Sequence, residues 1–157
     1  MARENIIKEK SFAFAIEIVT LYKILLERKE FVLSKQMLRS GTSVGANIRE
    51  SEHAQSKADF IHKLSISLKE ANETEYWIDL LHETKYLSQI EFEFIKQKIV
   101  ELLKLLTSII NTSKKTELSI VNYTLLIKYE RTSFLFKNIT LWRIRNYSGL
   151  QRTFYSL

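Results

Sequence analysis

The sequence predicts an all-α protein, folded as an up-and-down antiparallel four-helix bundle with an irregular or weakly β C-terminal extension. Its 157 residues include no Pro and only three Gly, and 45% of them are hydrophobic. Little in this composition interrupts a helix, and the chain is long enough for one domain with a substantial core. Apolar residues recur at helical spacing in four segments before residue 111, with short polar connections between them. Short connections make successive helices antiparallel neighbours.

The first helix is predicted from about Ile6 to Glu27 and carries two apolar stripes. The first stripe consists of Phe12, Ile16, Val19 and Leu26, and the second consists of Phe14, Ile18, Leu21 and Leu25. Together they cover more than the single apolar face that a surface helix needs. Two interpretations are open: the helix lies at the centre of the bundle, or the second stripe faces another subunit.

The second helix is predicted from Val32 or Ser34 to about Ala54, after a short connection at residues 29–31. Its apolar positions are Leu33, Met37, Leu38, Val44 and Ile48. The polar residues 55–57 follow as a turn.

The third helix is predicted from about Lys57 to Thr84, with Ser56 as its N-cap. Glu75 lies on the apolar stripe of this helix, between Ala71 and Ile78. A carboxylate in that position needs a partner if it is buried.

The fourth helix is predicted to begin after Ser88, which forms a capping box with Glu91 three residues later. It is expected to run to about Asn111, where the polar residues 111–115 end it. The bundle domain is therefore assigned to residues 1–115.

Residues 116–157 are predicted to form a basic, aromatic extension that is poorly ordered or loosely draped on the bundle. Helical periodicity is lost after Leu118, and residues 121–129 and 133–144 have the β-branched and aromatic composition of strands. A two-stranded hairpin alone is marginally stable. The alternative is that these residues bind single-stranded nucleic acid, by neutralising phosphates and stacking on bases.

The charge and the composition restrict the possible functions. Of the net charge of +6, residues 118–157 carry +5, from six basic side chains and one acidic side chain, which leaves +1 for residues 1–117. Because most of the positive charge lies outside the predicted bundle, the charge of the protein is only weak evidence that the bundle binds nucleic acid. Cys is absent, so disulfides and Cys-based zinc or thiol chemistry are excluded. No apolar run is long enough to span a bilayer and no signal peptide is evident, so a cytoplasmic protein is expected.

A row of polar side chains lies along one side of the predicted second helix, at spacings of four, four and three. The row consists of Arg39, Ser43, Asn47 and Glu50. Residues at these spacings are one turn apart on the same side of a helix. The small residues Gly41, Gly45 and Ala46 lie among them, and they allow another backbone or a partner to approach closely.

We interpret this row, together with Arg49, as a surface for RNA or another partner. Arg39 and Arg49 could contact phosphates, and Asn47 could hydrogen-bond a base or a neighbouring backbone. The same side chains could instead pack against a neighbouring subunit. They could also form a structural polar network with Glu73 and Glu75 of the third helix.

No group of residues indicates an active site. Three acid-x-x-His pairs occur on the helices, namely Glu50/His53, Asp59/His62 and Asp79/His82. His82 lies twenty residues beyond His62 on one helix, roughly 30 Å away at 1.5 Å per residue, so the pairs cannot converge on one metal. Gly41 and Gly45 are not followed by the Lys-Ser/Thr of a phosphate loop. We therefore expect no enzyme, no metal and no cofactor.

Three sequence elements together resemble a family of bacterial four-helix bundle proteins, the 23S rRNA intervening-sequence proteins. They are Ser-Val-Gly-Ala-Asn-Ile at residues 43–48, Phe-Ile-x-x-Leu-Ser-Ile at residues 60–66 and Glu-x-Glu at residues 73–75. The resemblance covers roughly residues 5–115. Two features depart from the family pattern: Ser51 stands where Gly often follows the Glu, and residues 118–157 are additional.

The resemblance implies a left-handed up-and-down bundle without enzymatic activity that assembles as a homopentamer. Related bundles are accessory proteins of diversity-generating retroelements, in which a basic pentamer binds RNA and a reverse transcriptase. Our first hypothesis is thus a homo-oligomeric bundle that binds RNA or a ribonucleoprotein partner. The alternatives are a protein–protein interaction module that binds no nucleic acid and a reverse-transcriptase accessory protein.

Overall fold

The computed structural model describes the backbone of residues 6–153 and the side chains of residues 6–116, 118–126 and 128. Four helices follow one another: α1 (Ile6–Glu27), α2 (Leu33–Ser51), α3 (Lys57–Glu83) and α4 (Gln89–Thr153). The chain divides into two compact units, Met1–Lys114 and Lys115–Leu157. The predicted all-α four-helix bundle is confirmed in the first unit.

Hydrogen bonds donated by two buried hydroxyls of α3 show that α2 and α3 are antiparallel. The Ser67 hydroxyl donates to the Val44 carbonyl oxygen at 2.9 Å, and the Thr74 hydroxyl donates to the Ser40 hydroxyl, also at 2.9 Å. Residue numbers thus rise along α3 as they fall along α2. Because buried hydroxyls need partners, these two bonds allow Ser and Thr to lie in an otherwise apolar interface.

Ion pairs join the start of α4 to both α3 and α1. Lys96 lies 2.6 Å from Asp79 of α3. On the other side, Lys98 lies 3.0 Å from Glu17 of α1. Each helix in this unit therefore has two neighbours, which is the arrangement of an up-and-down bundle.

The core is formed by aliphatic side chains from all four helices, together with Phe14 and Met37. Its fully buried large members are Phe14, Ile18, Leu25, Met37, Ile48, Leu64, Ile78, Leu81, Ile95, Ile99, Leu102 and Leu106.

The structure shows which of the two apolar stripes of α1 is buried and which is exposed, and the result is the opposite of the subunit interpretation. The second stripe (Phe14, Ile18, Leu21 and Leu25) is buried in the core of the same chain. The proposal that this second stripe faces another subunit was therefore wrong. It is the first stripe that points outward, with Phe12 and Ile16 more than half exposed. Their spacing alone could not show which stripe the other three helices cover.

A single carboxylate organises the turn between α1 and α2. The buried Glu30 accepts hydrogen bonds from the backbone N–H groups of Val32, Leu33 and Ser34. Burial alone would raise the pKa of Glu30, but these hydrogen bonds lower it overall. Glu30 thus supplies the acceptor that the first N–H groups of a helix need, a role usually taken by an N-cap residue. Sequence reasoning missed this role.

The predicted caps of α3 and α4 are confirmed. The Ser56 hydroxyl accepts a hydrogen bond from the Asp59 backbone N–H at 3.1 Å. At the start of α4 the Glu91 carboxylate accepts from the Ser88 backbone N–H at 2.9 Å. The Ser88 hydroxyl in turn accepts from the Glu91 N–H at 3.4 Å, which completes a capping box.

The predicted end of α4 and the predicted C-terminal strands were wrong. The polar residues 111–115 do not end α4, and residues 121–129 and 133–144 are helical and not strands, because α4 continues to Thr153. No Pro or Gly occurs from residue 46 to residue 148. β-branched and aromatic residues disfavour a helix by only a few tenths of a kcal/mol each, which is too little to stop one that is already formed. In the part of the chain that the structure describes, no helix is long and apolar enough to cross a membrane.

Candidate binding surface on α1 and α2

The small residues of α2 are in contact with α1 of the same chain. A Cβ atom added to Gly41 would lie 2.9 Å from Cγ2 of Ile18, which is closer than such atoms approach. At Gly45 the nearest atom would be the Ser11 carbonyl oxygen at 3.5 Å, an ordinary contact. The close approach predicted from the small residues thus takes place within one chain.

The polar row lies on the outer side of α2. Arg39 and Glu50 are exposed, while Ser43 and Asn47 are half-buried. The Asn47 side-chain amide donates to the Ser43 carbonyl oxygen at 2.9 Å, and the Ser43 hydroxyl donates to the Arg39 carbonyl oxygen at 2.8 Å. Ser43 and Asn47 each therefore donate a side-chain hydrogen bond to the backbone of their own helix. Arg39 is the most available of the four side chains for an outside partner.

The structure does not join Arg39 to Glu73 or Glu75. Glu75 lies 3.0 Å from Lys96 of α4, and Glu73 accepts a hydrogen bond from the Trp77 indole at 3.3 Å. Among the described residues, no carboxylate lies within 4.0 Å of the Arg39 guanidinium. The polar network that involves Glu75 therefore extends to α4 and not to α2.

Lys96 is the centre of that network. It contacts Glu75 at 3.0 Å and Asp79 at 2.6 Å. Burial alone would lower the pKa of Lys96, but the hydrogen bonds and negative charges of Asp79 and Glu75 raise it overall. The half-buried Glu75 thus has the partner that its position on an apolar stripe requires.

Arg49 and Glu50 point toward different neighbours. The Arg49 guanidinium lies over the Phe12 ring of α1, 4.9 Å from its centroid, in a cation–π contact. Glu50 forms an ion pair with Lys63 of α3 at 2.6 Å, and this hydrogen bond raises the pKa of Lys63. The five residues proposed from the sequence therefore do not share one set of neighbours. Glu50 contacts α3 and Arg49 contacts α1, while Arg39, Ser43 and Asn47 lie on the outer side of α2.

The outward side of α1 is apolar, and we call it the α1 outer face: Phe12, Ile16 and Val19. These side chains are 53%, 52% and 36% exposed. Two further apolar side chains are exposed on the neighbouring helix α4, Ile90 at 81% and Phe94 at 50%. The sequence signal for this surface was the extra stripe of helix 1.

A cleft of about 140 Å³ lies between α1 and α4, and we call it the α1/α4 cleft. It is lined by Glu17, Thr20, Leu21, Ile24, Glu91, Phe94 and Ile95. Two ion pairs border it, one between Glu17 and Lys98 and one between Glu91 and Arg28. Leu21, Ile24, Phe94 and Ile95 give the cleft an apolar lining. Glu17 and Glu91 add two carboxylates to it.

Both members of the pair Asp79/His82 take part in other interactions. Asp79 is paired with Lys96, while His82 stacks on Phe92 with ring centroids 4.0 Å apart and lies 3.0 Å from the Gln89 side-chain oxygen. In the described part of the chain, no three His, Asp or Glu side chains are grouped as metal ligands would be.

Comparison with known proteins places this geometry in a family. No curated protein matches the chain. A crystal structure of a protein of unknown function from the S23 ribosomal protein family of Bacteroides thetaiotaomicron VPI-5482 is 62% identical. The match covers 66% of this chain and 97% of that chain, with a TM-score of 0.66. Residues 3–108 match the family described as 23S rRNA-intervening sequence protein. These residues make up more than half of the sequence, so the chain belongs to the 23S rRNA-intervening sequence protein family.

Proposed function

We propose that this protein is a non-enzymatic, homo-oligomeric four-helix bundle that binds RNA or a ribonucleoprotein partner. The observation that carries the proposal is the α1 outer face, because it is both apolar and exposed in the single chain. The resemblance to the family implies a pentamer, and we propose a closed homo-oligomer of this kind.

The physical argument for self-association starts from the composition of α1. The second stripe of this helix fills the core, and Phe12 and Ile16 point to the opposite side. A helix that is apolar on both sides is stable in water when both sides are covered. Burial of exposed apolar surface contributes roughly 25 cal/mol per Å², so contact between copies through the α1 outer face is favourable.

Multi-angle light scattering of the full chain at several concentrations tests self-association. We expect the wild type to have a mass several times that of one chain, and Ile16→Glu to be a folded monomer. Lys69→Glu on the exposed surface of α3 is the matched control and should assemble as the wild type does. A monomeric wild type at high micromolar concentration would refute the proposal.

Arg39 is the residue that we propose for RNA contact. Helix α2 carries three basic side chains, Lys35, Arg39 and Arg49, against the single acid Glu50. An exposed guanidinium suits a phosphate because its N–H groups match the phosphate oxygens. In an oligomer each copy would present one Arg39, so several weak phosphate contacts would add to a measurable affinity.

Salt-dependent binding to a structured 23S rRNA fragment tests this second part. Affinity that rests on phosphates falls steeply as salt rises, and each lost contact reduces the slope of log K against log salt by about one. We expect Arg39→Gln to weaken binding and flatten the slope, and Lys69→Gln to leave both unchanged. Absence of binding by the wild type at low salt would exclude RNA as the ligand.

The nearly neutral charge of residues 1–117 supports one other candidate, a protein–protein interaction module without RNA binding. This function predicts an oligomer that does not bind the RNA fragment even at low salt. The two experiments together therefore separate the candidates.

A further inference from the structure

The part of α4 that follows Lys114 belongs to the second compact unit, and we call residues 115–153 the α4 extension. Its described apolar side chains are all at least half exposed, namely Leu118, Ile120, Val121, Tyr123, Leu125 and Leu126. In the described part of this unit α4 is the only secondary-structure element, so no second helix of the unit covers them. Because burial of apolar surface is favourable in water, association of this helix with another one is favourable.

The α4 extension contains a line of apolar residues at coiled-coil spacing. Leu118, Val121 and Leu125 lie three and four residues apart, and they are 63%, 50% and 59% exposed. The sequence continues this spacing along the helical backbone with Tyr129, Thr132, Phe136 and Ile139. We call these seven positions the α4 seam, which spans about three heptads, or roughly 32 Å at 1.5 Å per residue. Apolar residues repeated every three and four positions form the contact line of a coiled coil.

The neighbouring Leu126 shows that the α4 seam is a specific line and not a general excess of apolar residues. Leu126 is 55% exposed, but the residues on its own line along the helix are polar, namely Ser119, Asn122, Glu130 and Ser133. The line through Ile120 and Tyr123 is interrupted by the charged residues 130 and 131. Of these three lines, only the α4 seam has no charged residue along its length.

The pattern and the charge of the α4 extension restrict its partner. A coiled-coil partner must be a helix with apolar residues at the same spacing. The extension of another copy meets this requirement by sequence, and contact between the bundles of an oligomer holds it at a high local concentration. A closed ring relates its copies by rotation, so their extensions are parallel and equivalent positions can face one another.

We propose that the α4 extensions of several copies form a parallel coiled coil through the α4 seam. The inference rests on the proposed self-association of the bundle and adds a second contact to it. Leu at the first position of the repeat, with a β-branched residue at the second, favours more than two strands. The net charge of +5 on residues 118–157 opposes the contact, so it strengthens an oligomer that the bundles already hold together.

Two adjacent leucines provide a matched test in the full chain. Leu125→Asp places a carboxylate in the α4 seam, and Leu126→Asp places the same group on the polar line one residue away. In analytical ultracentrifugation, Leu125→Asp should raise the dissociation constant of the oligomer at least about 10-fold, because a carboxylate in the seam is buried without a partner. Leu126→Asp should assemble as the wild type does. Equal dissociation constants for the two variants would overturn the inference.

Other outcomes separate this inference from the proposed function. If the wild type is monomeric, both proposals fail. If Leu125→Asp assembles as the wild type does while Ile16→Glu is monomeric, self-association stands and the α4 seam is not part of it. If both Asp variants assemble normally but bind the 23S rRNA fragment equally weakly, the extension contacts RNA and the coiled coil is refuted. An equal loss of binding to vesicles of anionic lipid would refute it in favour of a membrane surface.

Crosslinking through single thiols provides a second readout that does not depend on loss of assembly. The chain contains no Cys, so Leu125→Cys and Leu126→Cys each carry one thiol. In a parallel coiled coil in register, the thiols of Leu125→Cys lie close together, and a short bismaleimide should join the chains in pairs. Leu126→Cys should give a much lower yield. Equal yields from the two variants, or no crosslink from Leu125→Cys in an oligomer of wild-type size, would contradict the inference.

Discussion

At the scale of single residues, Gly41 and Gly45 are one turn apart on α2 and have different neighbours. At Gly41 a methyl group would lie within 3.0 Å of two atoms of Ile18, whose side chain is fully buried. At Gly45 the same group would make only ordinary contacts with Ser11. The two positions therefore differ in whether they require glycine.

We expect Gly41→Ala and Gly45→Ala to change stability in opposite directions. Overpacking should make Gly41→Ala less stable by about 1–2 kcal/mol, even after the gain in helix propensity. Gly45→Ala should be more stable by up to about 1 kcal/mol, because its space is open and Ala favours the helix. Urea unfolding at one fixed protein concentration measures both. Equal effects in the two variants would contradict the contact between Gly41 and Ile18.

Lys29 and Lys85 each end a helix in the left-handed backbone conformation, with φ of 62° and 67°. After α1, the Glu30 N–H donates to the Leu25 carbonyl oxygen at 2.9 Å, and after α3 the Tyr86 N–H donates to the Leu81 carbonyl oxygen at 2.9 Å. These are the hydrogen bonds of a Schellman motif, whose left-handed position is usually Gly.

Replacement of either lysine by glycine should therefore stabilise the bundle. Lys29→Gly and Lys85→Gly remove the steric cost of a Cβ atom at positive φ, which outweighs the entropy of the added glycine. We expect a gain of about 0.5–1 kcal/mol for each in thermal or urea unfolding. The control Lys69→Gly, in the interior of α3, should lose about 1 kcal/mol. A loss at all three positions would contradict the cap geometry.

At the scale of elements, the start of α4 depends on one carboxylate. Glu91 accepts hydrogen bonds from Arg28 at 2.7 Å and 2.9 Å, as well as those of its capping box. The bonds from Arg28 are the main cause that lowers the pKa of Glu91 to about 2, with those from Ser88 adding to it and burial opposing it. The same pair raises the pKa of Arg28.

This lowered pKa predicts how stability depends on pH. The folded protein holds Glu91 ionised more strongly than the unfolded chain does, so the stabilisation is complete above about pH 5 and is lost as the pH falls toward 2. Because Arg28 is more than a third exposed, solvent screening leaves about 1 kcal/mol of this contribution. Glu91→Gln should thus be less stable than the wild type at pH 7 and equal to it near pH 2. The exposed Glu93→Gln serves as the control, and a pH-independent difference for Glu91→Gln would contradict the prediction.

The helices differ in how well the sequence predicts them. The capping signals at Ser56 and Ser88 are local, and both helices begin where these residues indicate. The end of α4 was mispredicted because polar residues and strand-like composition are weak signals when no Pro or Gly interrupts the helix. Glu30 was missed as a cap because its role depends on the turn that brings its side chain back to α2.

At the scale of the whole molecule, the sequence predicts the bundle better than its surface. The four apolar stripes and short connections suffice for the fold. Which of two stripes on α1 is covered depends on how α2 and α4 pack beside it, and spacing within one helix does not contain that information. For the same reason Glu75 pairs with Lys96 of α4, although Arg39 was an equally plausible partner in the sequence.

The pairs between α1 and α4 have a consequence for how the chain folds. Arg28 and Glu91 are 63 residues apart in sequence, and Glu17 and Lys98 are 81 apart. Closing such long loops costs more entropy than forming the short turns between successive helices, so the contact between α1 and α4 is expected to form last. During synthesis on the ribosome, the apolar side of a three-helix intermediate stays open until residues 89–114 of α4 emerge. Residues 115–157 are translated after that segment, so the bundle can close before the nascent chain is released.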